Sequence, residues 1–294
     1  MIDAIIHYTF MRNALLAALF ASIVTGIIGT IAIEKKLISM SGGIAHASFG
    51  GIGLGYLLGF EPIWGGLVFA VGASAFISKL PKGAKMNADT MTGILWAFGM
   101  ALGILFISLA PGYMPDMTSY LFGDILSVST GYILYMAAFT AVIVIVFIML
   151  YHHLILYLFD QEYAAARGIP IRLLEWVVYI MIPVGIIVLI KIVGVILTIA
   201  LMTIPVSIAK LFCKSIGRVI PFSMLISFFF SVTGLAVSYY ANIPSGVCII
   251  VISTVVYLAL MLSKSGIQRA VHKRRKHIRG AVWGQGKELE NNTE

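Results

Sequence analysis

Nine apolar segments of spanning or near-spanning length set the class of this chain before any motif is read. They run at about Leu15–Ile33, Leu37–Phe60, Ile63–Ile77, Met91–Ala110, Gly131–Leu150, Leu173–Ile190, Val193–Ile208, Pro221–Tyr240 and Gly246–Leu262. A bilayer core is crossed by about 20 apolar residues at helical rise. The third and seventh segments are short and read as tilted, re-entrant or broken. The expectation is therefore an all-α polytopic membrane protein with eight or nine transmembrane helices.

Composition supports that class. The 294 residues are 60% hydrophobic and 11% charged, with a mean hydropathy of +1.02. A soluble domain would carry about a quarter charged residues. The net charge of +8 does not signal a nucleic-acid surface, because seven Lys or Arg lie in the run Lys264–Arg279 directly after the last apolar segment. The positive-inside rule accounts for that run, with anionic lipid headgroups as a secondary contact. Cys213 and Cys248 sit far apart without metal-ligand spacing and read as unrelated core residues. The first residues, Met1–Phe10, lack a basic n-region and a cleavage site, so no removable signal peptide is expected.

Basic residues recur in alternate connections. Lys35 and Lys36 follow the first span, Lys79, Lys82 and Lys85 the third, Arg167 and Arg172 the fifth, and Lys210, Lys214 and Arg218 the seventh. The connections between them are poor in positive charge, with Lys191 as the exception. This alternation predicts a cytoplasmic C-terminus and, for nine spans, an external N-terminus. Residues 1–263 read as a membrane domain and 264–294 as a basic cytoplasmic tail, partly disordered. The longest stretch between spans is Tyr151–Arg172, and it contains no P-loop. ATP-driven transport would need its ATPase on another chain.

Within the second segment, Met40–Gly59, stands His46. An ionisable group inside a membrane is costly and marks a partner or a task. Imidazole is also a ligand for zinc, manganese and iron. The competing reading is an interhelical hydrogen bond to a serine or a carbonyl. Ser41 and Ser48 are its neighbours in sequence and candidates for supporting a path there. Gly51, Gly55 and Gly59, four residues apart, fall on one helix face and predict close helix packing. Gly42, Gly43 and Gly50 lower helix propensity, and a bend or unwound stretch near His46 is expected. Pro183 and Pro205 predict kinks in later spans.

The stretch Asp160–Pro170 reads as a short helix with Asp160 as N-cap and Gly168 as C′ residue. It is either an amphipathic connector lying on the chain's own loops or a helix that docks into a partner. Asp89-Thr90 reads as the N-cap of the fourth span. Asp116 and Asp124 read as solvated loop charges, or as residues facing an external binding protein or a metal entrance.

In this order the motifs resemble a known family. They are Met40–Gly59 with His46, Asp89–Ile94, Tyr120–Leu126, Asp160–Gly168, Lys191–Leu197, Ile204–Ala209 and Ala241–Gly246. The chain is similar to the integral-membrane permease of ABC-type zinc, manganese and iron importers. More distantly, it is similar to the vitamin B12 and siderophore importer permeases. The resemblance implies a homodimer in the cell membrane with a central path and alternating access. It implies ATP-binding subunits on the cytoplasmic face and an extracytoplasmic metal-binding protein. Asp160, Glu162, Ala164 and Gly168 would belong to the element that couples to the ATPase. His46 would line the path of a transported divalent ion, and no permanently bound cofactor is expected. Many members carry an Asp four residues before the histidine, where this chain has Gly42. That departure leaves a metal chelate as an alternative substrate. A proton-coupled carrier is a more distant alternative, since it would carry more buried carboxylates. An intramembrane serine protease would need its nucleophile and histidine on different helices.

Overall fold

The computed structural model describes residues 7–79, 88–111, 121, 123 and 125–263. Asp116, Tyr120, Asp124, Lys82, Lys85 and the tail from 264 lie outside the described residues. The chain divides into two compact units, Met1–Ser253, which holds the helical bundle, and Thr254–Glu294, whose described residues are helical. The described residues form ten helices longer than one turn and no strand. These are α1 (Thr9–Glu34), α2 (Ile38–Leu58), α3 (Pro62–Ser78), α4 (Ala88–Leu109), α5 (Thr130–Phe159), α6 (Gln161–Ala166), α7 (Ile171–Lys191), α8 (Val193–Phe212), α9 (Ile216–Ala241) and α10 (Ser245–Ser263).

Seven of them, α1, α4, α5 and α7 to α10, are long and apolar enough to cross a membrane. Helix α2 has 21 residues, but its glycines, serines and histidine dilute its apolar character. Helix α3 has 17 residues, about 26 Å at 1.5 Å per residue. Counting both gives nine, within the expected eight or nine. The third segment is one unbroken helix, and the seventh runs on to Phe212.

Polar contacts sort the helix ends into two groups. At one end, Lys210 at the close of α8 meets Glu34 at the close of α1, with Nζ–Oε1 at 2.9 Å. Beside them the Lys35 ammonium donates to the Tyr157 carbonyl at 3.0 Å and sits over its ring. At the other end, Asn13 Nδ2 donates to the Val128 carbonyl (3.1 Å) and to Thr130 Oγ1 (3.2 Å). There, too, Tyr132 donates to Glu61 Oε1 (2.8 Å), and Lys191 approaches the same oxygen (4.0 Å). So α7 finishes where α5 begins, and α8 finishes where α1 ends. Helices α7 and α8 are therefore antiparallel, joined by a hairpin of almost no length. Gly194 makes the reversal at φ 75°, ψ 169°, a conformation closed to side chains with a Cβ. The expected kinks at Pro183 and Pro205 are minor by comparison, since Gly194 alone leaves helical dihedrals between Ile171 and Phe212. Pro183 has no N–H for the Tyr179 carbonyl one turn back. Ser74 of α3 fills the gap by donating to that carbonyl at 2.5 Å.

Helix α2 lies between α3 and α4, and at its glycines and theirs the backbones come into direct contact. A methyl group on Gly51 would run into the Gly65 backbone of α3, and one on Gly55 would stand 2.7 Å from Pro62 Cα. Toward α4, methyl groups on Gly99 and Gly103 would meet the backbones of Ala47 and Phe49. Two expectations are corrected here. Gly59 is not a packing residue: it ends α2 in the left-handed region at φ 73° with open space around it. Nor is α2 unwound at His46: it is one continuous helix from Ile38 to Leu58, with helices on both sides holding its backbone at contact distance. Asp89 lies within the first turn of α4 rather than capping it.

Gly51→Ala and Gly99→Ala should each cost about 1–3 kcal/mol through overpacking. Gly72→Ala, where the added methyl meets open space, should be neutral or gain up to about 1 kcal/mol from helix propensity. Thermal unfolding of the detergent-solubilised protein measures the contrast.

Candidate functional site

The glycine seam determines what faces what across α2 and α4. Contacts climb both helices in the same direction: Gly43 against Thr92, His46 against Trp96, Ala47 against Gly99. The two helices are parallel and meet backbone to backbone at their glycines, and the ring of His46 lies against the α4 side chain at its own level. Imidazole and indole stack with centroids 4.0 Å apart and planes 11° from parallel. His46 is 6% exposed and Trp96 is 43% exposed. The Nδ1 of His46 is buried without a hydrogen-bond partner among the described residues. Such an orphan is uncommon in a folded protein and calls for an explanation.

Gly42 lies one turn before His46. A Cβ placed there would stand 3.8 Å from Trp96 Cζ3 and 3.7 Å from Ile199 Cδ1 of α8. These are ordinary contacts, so the backbone would accept a side chain at this position. What is missing is a carboxylate, not the space for the start of one. The two neighbouring serines do not support His46. Ser41 Oγ donates to the Leu37 carbonyl (2.9 Å) and Ser48 Oγ to the Ala45 carbonyl (2.6 Å), both within α2. Hydroxyls in helices favour such local bonds, and neither residue shares the face of His46. Among the described residues, no group of three His, Cys, Asp or Glu could hold a metal ion.

The second candidate site, α6, is a short helix closed at both ends. Asp160 Oδ1 accepts from the Glu162 and Tyr163 amides, each at 3.0 Å. At the other end the Gly168 amide donates to the Ala165 carbonyl (2.9 Å) and the Ile169 amide to the Ala164 carbonyl (3.1 Å). This pair of bonds is a Schellman motif, with Gly168 at φ 77°. Asp160, Glu162 and Gly168 face outward. Ala164 is fully buried, so it seats α6 on its own chain and offers nothing to a partner, contrary to the sequence expectation. Sequence reasoning also passed over Phe159, 86% exposed, and Tyr163, 46% exposed and paired with Arg167 through its hydroxyl. Their signal is an aromatic pair flanking a capping aspartate, which an apolar count assigns to the span.

The family model of the "ABC 3 transport family" matches residues 7–264. The chain belongs to this family. An uncharacterized membrane protein of Synechocystis is 36% identical over 261 residues, spanning 88% of this chain and 93% of the relative. The manganese import system permease protein ScaB of Streptococcus parasanguinis is 28% identical over 257 residues, covering 87% and 91% of the two chains. Among solved structures, PsaBC from Streptococcus pneumoniae in complex with a Fab superposes with a TM-score of 0.80 at 28% identity, over 88% of this chain and 93% of that one. This ABC 3 family chain thus has the all-α architecture of an ABC importer permease, built around the α2–α4 seam and the capped α6.

Asp160→Ala removes the acceptor of two amides in α6 and should cost that helix about 1 kcal/mol. The Glu162 and Tyr163 amides should then exchange about fivefold faster, read by hydrogen–deuterium exchange, with the rest of the bundle unchanged.

Proposed function

We propose that this chain is the membrane-spanning permease subunit of an ATP-driven metal-ion importer. A divalent ion, zinc, manganese or iron, would pass along a path that includes His46, in a homodimer that alternates between outward and inward access. The observation that carries this reading is the orphaned Nδ1 of His46, buried mid-helix in a chain that matches a transport family from residue 7 to 264. An ionisable ring inside a membrane helix with an unsatisfied nitrogen is costly unless it has a task, and holding a passing ion would be such a task. The manganese import permease among its relatives supports a bare divalent ion as the cargo.

Energy would come from ATP-binding subunits on the cytoplasmic face, with an extracytoplasmic binding protein delivering the ion. The capped α6 suits a lever between the permease and its ATPase. It is short and closed at both ends, and it presents Glu162 and Tyr163 outward beside the exposed Phe159 that ends α5. It also lies at the end that carries Lys35 and Lys210, the basic side of the bundle, which the positive-inside rule assigns to the cytoplasm. No resident cofactor belongs to this mechanism; the ion is the substrate.

His46→Ala should abolish metal uptake while the protein still reaches the membrane and assembles. Elemental analysis of cells fed manganese, zinc or iron separately measures the loss and identifies the ion. Normal uptake by this variant would refute the path. Glu162→Arg should weaken copurification of the ATPase, and full copurification with intact coupling would remove α6 from the interface.

A further inference from the structure

We propose that Trp96 is a positioning residue of the metal path: its indole holds the His46 imidazole face to face and meets the charge that the ring acquires when it binds an ion. This rests on the reading of His46 as a path residue. Three observations converge on it. The two rings are stacked at 4.0 Å and 11°, so the imidazole cannot turn freely about its ring torsion. A metal bonds to a histidine nitrogen in the ring plane, and the indole lies against the face of the ring rather than in that plane. The clamp therefore restrains the ring from its face and not from the edge that carries the nitrogens.

The second observation is electrostatic. An imidazole bound to a divalent ion is electron-poor, and the indole face is the best aromatic partner for positive charge. The stack is consequently stronger in the loaded state than in the empty one. Only such a difference can add to ion affinity. At Gly42, where a side chain would reach toward the same niche, the nearest atoms are Trp96 Cζ3 and Ile199 Cδ1. The niche one turn before His46 is thus bordered by an indole edge and an aliphatic side chain, with no charge from Gly42 itself. The third observation is the exposure gradient. The imidazole is buried and the indole is 43% exposed, so Trp96 forms the cover between His46 and the outer surface of α4.

The test uses the intact importer, with manganese ion as the probe, taken up by cells across a concentration series. Trp96→Ala should raise the half-saturating manganese concentration by about tenfold with little change in maximal rate, and Trp96→Phe, which keeps a ring, should restore most of the loss. In the purified complex, manganese should quench tryptophan emission. That quenching should shrink in Trp96→Phe and disappear with manganese binding in His46→Ala. Size-exclusion profiles confirm that each variant is assembled. If both Trp96 variants take up manganese like the wild type while His46→Ala does not, the proposal is overturned and the path reading survives. If Trp96→Ala lowers only the maximal rate, with Trp96→Phe no better, the indole is a packing residue and the proposal is likewise overturned. If His46→Ala transports normally, the path reading itself fails.

Discussion

Backbone-to-backbone contact along α2 is the constraint from which the rest of the site follows. Lipid gives helices no hydrophobic reason to associate, so close packing and its dispersion contacts must supply the attraction. Gly51 and Gly55 let α3 approach, while Gly99 and Gly103 of α4 let α2 approach in turn. A helix held this closely on two sides cannot unwind, whatever its glycine content says about propensity. It also leaves a ring such as His46 few positions. At its level on α4 the imidazole meets the Trp96 indole, and the stack is the outcome.

A second structural device answers a separate cost. Sharp turns and prolines release backbone groups that lipid cannot satisfy. The reversal at Gly194 is confined to one residue, so little backbone loses its helical bonds. The carbonyl freed by Pro183 is answered by Ser74 from the neighbouring α3. At the two ends of the bundle, where water is near, ion pairs and amide contacts take over: Glu34 with Lys210 at one, and Glu61 with Tyr132 and Lys191 at the other. Lys191, which breaks the pattern of basic loops in the sequence, belongs to the second group. There it sits 4.5 Å from the centre of the Tyr132 ring as well as near Glu61.

What could be read from the sequence was local or periodic. Nine apolar runs were countable because hydropathy accumulates along one segment. The caps of α6 were legible because Asp160, Gly168 and Pro170 fall within a few residues of one another and act on adjacent amides. Three features were not legible, each for a different reason. Gly59 shares the four-residue spacing of Gly51 and Gly55, and only the turn of the chain after Leu58 separates a cap from a contact. Ser41 and Ser48 are close to His46 along the chain but point elsewhere around the helix, and their hydroxyls prefer their own carbonyls. The partnership of His46 with Trp96 joins helices whose register is set by glycine contacts, and no spacing rule links positions fifty apart.

A path residue must bind its ion well enough to receive it and weakly enough to release it. A carboxylate beside the imidazole would deepen the site, and position 42 has room for the first atom of one. With glycine there, the proposed path would offer the ion an aromatic face in place of a carboxylate, with a smaller attraction that fades as the ion leaves the ring. Such a site would favour passage over retention. It would also shift the burden of selection elsewhere, to the geometry of the remaining donors and to whatever delivers the ion. On the proposed path, Gly42 and Trp96 would be two halves of one arrangement: the first withholding a charge, the second covering the ring that remains.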